Sequence, residues 1–173
     1  NLTKTLNVLQ KQTETFVEQL TRQSVTVRVH LPQTYSSMEP ATTLATLPPK
    51  QQRDMQDFQI NNSKNGIVGK SFRDMKSDYT ADAANLPEFN ENVDIVARSG
   101  FGLFTIPAVV VGHQSPVAVI QIEQPAVKFS QRKTLLEHYE RYAETVAIVL
   151  LYFFNIDTLQ KSVAQAKADA QKK

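Results

Sequence analysis

Gly66-Ile67-Val68-Gly69-Lys70-Ser71 ends the way a phosphate-binding loop ends, in Gly-Lys-Ser. Such a loop wraps phosphate with backbone N–H groups, and it needs a further glycine five residues before the one that precedes the lysine. Lys64 holds that position, and residues 59–65 are too polar for the buried strand that usually leads in. The segment reads instead as a helix start, its two glycines allowing close approach to a sheet. His30, His113 and His138 have no i,i+3 or i,i+4 ligand spacing among them, and no cysteine joins them. They read as surface or half-buried histidines, and no metal site is expected. A serine nucleophile has no Gly-x-Ser-x-Gly elbow to sit on. With no nucleophile, metal cluster or complete phosphate loop, the chain is expected to be no enzyme and to hold no cofactor.

A second group is acidic. Asp74, Asp78, Asp82, Glu88, Glu91 and Asp94 stand against the one base Lys76 between positions 74 and 97. A lid of that charge would disfavour an anionic ligand. The plainer reading is a solvated loop whose aspartates cap short helical turns. Over all 173 residues the net charge is only +2, whereas nucleic-acid binding calls for a basic stripe. The absence of cysteine excludes disulfides and fits a reducing, cytoplasmic compartment. Lys and Glu interrupt Leu2 to Leu20, so no signal peptide is visible. The longest apolar run, Val146 to Phe154, would rise about 14 Å as a helix, against a bilayer core of roughly 30 Å. It reads as a buried core helix. The chain opens on Asn1 and is expected to be a piece of a larger protein.

Hydrophobic residues make up 41%, enough for one core. Residues 1–23 read as a helix in which Leu2, Leu6, Leu9, Thr13, Phe16 and Leu20 recur in steps of four and three. The run is short, so packing on its own domain and a coiled coil both stand. Val25 to Leu31 alternates strictly and reads as a half-buried strand, with Thr26, Arg28 and His30 on the outer face. Pro32, Pro40, Pro48 and Pro49 mark a loop over 32–50, with a short strand at Thr42–Leu47. Met55 to Ile60 reads as a strand, Asn61 to Gly66 as a turn cluster, and Gly66 to Met75 as a short helix. Residues 77–100 read as irregular with short helical turns. Gly102 to Val111 and Val117 to Ile122 read as a strand pair, and Pro107 implies an edge position or a bulge. A last helix begins near Ser130 and carries Leu135, Tyr139, Tyr142, Val146, Val149, Leu150, Phe153 and Phe154 on its core face. The domain is taken as 1–156, and 157–173 as a solvated helical extension.

The order of these elements, and three segments within them, resemble GAF domains. Gly66-Ile67-Val68-Gly69-Lys70-Ser71-Phe72 is similar to the family's helix-opening Gly-Ile-Val-Gly. Asn85 to Asp94, Asn-Leu-Pro-Glu-Phe-Asn-Glu-Asn-Val-Asp, resembles its Asp-Pro-Arg-Phe-Asn-x-x-Val-Asp. Phe101 to Val111 with Val117 to Ile122 resembles its paired strands. The resemblance spans roughly 14–155 and is closest to the cyclic-nucleotide phosphodiesterase type. It implies an α+β fold: a central antiparallel sheet, the terminal helices packed on one face, short helices and loops on the other. It also implies a ligand pocket at Phe72, Thr80, Asp82, Phe89, Asp94, Ser99 and Phe101. Cyclic-nucleotide-binding members carry Asn-Lys after the last strand, then Phe, then Asp-Glu, with Lys and Asp paired. Gln124-Pro125, Phe129 and Lys133-Thr134 stand there in this chain, so both charges of the pair are gone.

Two functions follow as expectations. One is a non-catalytic interaction or scaffold domain of a larger protein with a degenerate pocket. The other is a regulatory domain that senses a cyclic nucleotide or another small molecule, as part of a phosphodiesterase or cyclase. The terminal helices are the expected contact with other protein chains or a second copy, through Leu2, Leu6, Leu9, Phe16, Leu20, Leu159 and Val163.

Overall fold

Apolar residues at every second position of Val25–Leu31 and of Ala118–Ile122 need a covered sheet face, and the amphipathic termini supply the cover. The computed structural model describes residues 2–32, 43–47, 58–59, 66–81 and 101–170. Helices are α1 (Leu2–Thr21), α2 (Gly66–Asp74) and α3 (Phe129–Ala170). Strands are β1 (Thr26–Pro32), β2 (Thr43–Leu47), β3 (Phe58–Gln59), β4 (Asp78–Thr80), β5 (Phe101–Ala108) and β6 (Ala118–Pro125). They form one antiparallel sheet in the order β3-β2-β1-β6-β5-β4. The architecture is the α+β arrangement that the GAF resemblance implies.

Register assigns the two faces. Val27 lies opposite Ile122 and Val29 opposite Ile120, while Phe104 pairs with Ile122 and Ile106 with Ile120. These residues form one cluster with Leu6 and Val17 of α1 and Leu135, Tyr139, Val146 and Leu150 of α3. Both terminal helices therefore cover the same face. On the opposite face α2 sets Val68 and Phe72 against Leu44 and Val119. Burying each such side chain contributes about 1.5–3 kcal/mol. Gly102 makes room on the helix face: a Cβ there would stand 2.7 Å from the Tyr79 hydroxyl. That hydroxyl accepts the Val127 N–H at 2.9 Å and ties β4 to the segment entering α3.

Four readings change. β1 is not half-exposed, since Arg28 and His30 are 2% and 0% exposed. Opposite-face residues of β2 and β6 enclose them, so His30 is a core histidine. Second, β4 lies within the stretch read as irregular, its three residues held by pairing to Leu103–Thr105. Third, β5 stops at Ala108 rather than Val111, and although β4 and β6 flank the strand, Pro107 keeps the edge position that it implied. Pro107 is tolerated because β4 reaches only to Thr105, leaving one side of β5 without a described partner at that level. Fourth, β6 continues past Ile122 to Pro125 because Thr26 and Leu103 pair with Glu123 and Phe101 with Pro125. The terminal helix starts one residue before Ser130 and runs 42 residues without a break at 156.

Leu6 is fully buried against the sheet, so Leu6→Ala is expected to cost about 2–5 kcal/mol. Denaturant unfolding at two protein concentrations checks this. A core residue gives the same loss at both, whereas a residue in an intermolecular contact gives a loss that depends on concentration.

Candidate functional site

The sheet face under α2 is the part of the fold with chemical character. β1 turns Arg28 and His30 toward it, β2 turns Thr46, β6 turns Gln121 and Glu123, and β5 turns Thr105. All are at most 6% exposed. Burial of this kind demands partners. His30 Nε2 lies 2.6 Å from Gln121 Oε1, which can only accept, so Nε2 carries a proton. In the neutral ring Nδ1 then accepts from the Thr46 hydroxyl at 3.0 Å. Arg28 Nη1 stands 3.6 Å from Glu123 Oε2, and the two side chains are 2% and 5% exposed. One charge cancels the other on this floor. The sequence carried the signal for this layer: polar residues fill alternate positions of β1 and β6 that are otherwise apolar.

Beside the floor, α2 and the β4–β5 edge enclose a cleft of about 290 Å³ lined by Lys70, Ser71, Asp74, Lys76, Asp78 and Thr105, among others. Ser71 Oγ lies 2.9 Å from the Lys76 carbonyl and 3.4 Å from that of Thr105, both acceptors for its proton. Thr105 Oγ1 is buried and has no hydrogen-bond partner among the described residues. The cleft's two lysines and two aspartates leave it with no net formal charge.

The pocket positions named from the resemblance are only partly gathered. Phe72 is 2% exposed and packs in the α2 core cluster, so it supports the pocket wall rather than opening onto it. Thr80 ends β4 half-buried, and Phe101 begins β5 at the same end of the strand pair. Asp82, Phe89, Asp94 and Ser99 lie outside the described residues. Gln124, where the resemblance expects Asn, turns to the helix face and accepts a short hydrogen bond, 2.5 Å, from the Tyr139 hydroxyl. Burial pushes the Tyr139 and Tyr142 phenols up, so both stay protonated. Among the described residues no group of His, Asp and Glu could hold a metal ion, and no helix is long and apolar enough to cross a membrane.

The terminal helices run antiparallel. Phe16 stacks on His138 with ring centroids 3.8 Å apart, while the groove between the helices is lined by Leu9 and Gln12 of α1 and by Arg141 and Thr145 of α3. This arrangement corrects the expected seam. Leu6 is 0% exposed and Leu9 packs against the same core, so neither is offered to a partner. Phe16 and Leu20 remain 40% and 47% exposed, joined by Val8, Ile148 and Tyr152. Of these, sequence spacing missed Val8 and Ile148. Leu2 opens α1, and Leu159 and Val163 lie in α3; the side chains of all three fall outside the described residues.

No protein-family model and no curated protein matches the chain. Solved structures do. The chain is similar to the GAF domain of an Acinetobacter phosphoenolpyruvate-protein phosphotransferase, with a TM-score of 0.61 at 13% identity over 91% of this chain and 87% of that one. It is similar to a GAF domain/HD domain protein from Geobacter sulfurreducens, with a TM-score of 0.57 at 8% identity over 88% and 93% of the two chains. A type II free methionine-R-sulfoxide reductase from Thermoplasma acidophilum gives 0.54 at 12% identity over 88% and 97%. At these identities what is shared is the fold, and that fold is the GAF fold.

Two measurements follow from this geometry. Removing one partner of the buried ion pair, as in Glu123→Ala, is expected to cost about 3–5 kcal/mol, while Arg28→Met with Glu123→Leu recovers most of the loss. Denaturant titrations of the three proteins check it. The second concerns pH. Burial, and then the nearby Arg141, hold the His138 pKa below its usual 6.5. The unfolded chain therefore binds that proton more readily, and stability is lost as pH falls through and below about 6.5. His138→Phe, which keeps the stack on Phe16, is expected to flatten the decline in melting temperature over that window.

Proposed function

We propose that the chain is a GAF-type regulatory module, of the phosphodiesterase-like kind, that is non-catalytic and acts through protein contacts. Its inherited pocket is no longer suited to cyclic nucleotides. The observation that carries this reading is the cancelled charge on the sheet floor. A cyclic phosphate needs uncompensated positive charge or helix N-termini, and Arg28 is matched by Glu123. The positions of the family motif agree: Pro125 stands where the paired Lys would be and Lys133 where the paired Asp would be. Gln124 is turned away to Tyr139, and Lys133 is 88% exposed beside Glu137. A thiol-based reductase needs a thiolate, and the chain has no cysteine. The outward side of α1 and α3, with Phe16, Leu20, Ile148 and Tyr152, is the surface offered to other protein.

A second reading, a small-molecule sensor, is favoured by the cleft at Ser71 and Thr105, where a buried hydroxyl has no hydrogen-bond partner among the described residues. Calorimetry separates the two. Cyclic AMP and cyclic GMP are expected to give no saturable heat in the micromolar range; saturable binding there overturns the degenerate pocket. ATP, GTP and cyclic nucleotides are expected to remain unhydrolysed. Turnover that disappears in Lys70→Ala would overturn the non-catalytic assignment.

A further inference from the structure

Apolar residues also stand in water at the end of the sheet where β5 gives way to the turn before β6. Met75 is 41% exposed, Val109 44% and Val111 99%. Met75 follows α2 directly and has φ 51°. Left-handed backbone at a helix end is ordinarily left to glycine or asparagine, because a larger side chain strains it. A methionine holds the position here, belongs to neither core cluster, and leaves much of its side chain in solvent. Neither backbone preference nor core packing accounts for it.

Met75 and Val109 line a cleft of about 210 Å³ whose floor includes Ile106 of β5 and Ala143 of α3 and whose rim carries Glu140 and Glu144. The space exists because β4 begins only at Asp78, opposite Thr105, and runs away from the cleft to Thr80, opposite Leu103. A cavity of roughly 150 Å³ takes up benzene, so the cleft has room for one aromatic ring. Whole small-molecule ligands fill pockets of about 300–1,000 Å³. The size therefore suits one side chain of a longer segment. The rim adds a sign. Glu140 and Glu144 are both exposed, lie about one turn apart, and join no salt bridge among the described residues. Nearby bases point elsewhere: Lys76 lines the Ser71 cleft, and Arg141 lines the groove toward α1.

We propose that this cleft docks a segment of another protein in which an aromatic residue is flanked by Lys or Arg. The ring enters between Met75 and Val109, and the flanking cations meet Glu140 and Glu144. An unbranched thioether adapts to an incoming ring and makes favourable contact with it. The two carboxylates set the orientation and reject acidic segments by repulsion. This surface shares no residue with the Phe16 and Ile148 side of the helices, and it needs no second copy of the chain.

Nuclear magnetic resonance titration with two blocked peptides, Ser-Lys-Phe-Lys-Ser and Ser-Glu-Phe-Glu-Ser, tests it. The lysine peptide is expected to give saturable shifts at the Met75 methyl and at the Val109 and Val111 amides, weakening as salt is raised. The glutamate peptide should bind at least tenfold more weakly. Glu140→Gln with Glu144→Gln should weaken the lysine peptide at least fivefold and leave the circular dichroism unchanged, since both side chains are exposed. Met75→Gly should weaken it at least tenfold while the melting temperature stays within a few degrees, because glycine relieves the left-handed strain. The proposal is overturned if the lysine peptide gives no saturable shifts, if the two peptides bind alike, or if the shifts gather at Phe16 and Ile148 instead. It is equally overturned if either variant keeps full affinity for the lysine peptide.

Discussion

Strand β6 lies between β1 and β5 and is buried on both faces from Ala118 to Gln124. Each of its side chains must therefore find an apolar neighbour or a hydrogen-bond partner. Ala118, Ile120 and Ile122 meet the terminal helices. Val119 meets α2. Gln121 holds His30, Glu123 neutralises Arg28, and Gln124 takes the Tyr139 hydroxyl. The helix layer, the α2 layer and the flanking strands are all fitted to this one segment. A change of register by one residue would exchange every one of those requirements at once.

The polar floor is the price of covering a sheet on both sides with unlike layers. An apolar second face would have closed the fold without any specificity. Instead His30 is held between Thr46 and Gln121, and the Arg28 charge lies beside that of Glu123. The helices on the other face keep Phe16, Leu20, Ile148 and Tyr152 outward.

Much of this was legible in the residues. Alternation marked β1, two apolar runs joined by a turn marked β5 and β6, the glycine pair marked α2, and the long apolar run marked α3 as a core helix. Segment order was enough to indicate the fold even though no protein-family model matches. What failed shares a cause. Periodicity tells which residues face the same way, and it does not tell what covers each face. Thr26, Arg28 and His30 looked solvent-facing because their cover comes from distant strands. Leu6 and Leu9 looked available because the antiparallel passage of α3 was not readable from α1. β4 carries no pattern of its own, and pairing with β5 alone makes it a strand.

Helix α3 continues without a break from the sheet to Ala170, far beyond Leu150, the last of its residues in the buried core. Forty-two residues give a rod about 63 Å long. Fixed to the sheet along its first half, such a rod acts as a lever. The unpacked arm from Leu150 to Ala170 is about 30 Å long, so a bend of about 5° where packing ends would sweep the far end through about 3 Å, taking the arm as stiff over this length. A rearrangement too small to disturb the core would thus appear at the distal end of the helix as a displacement of a few ångströms.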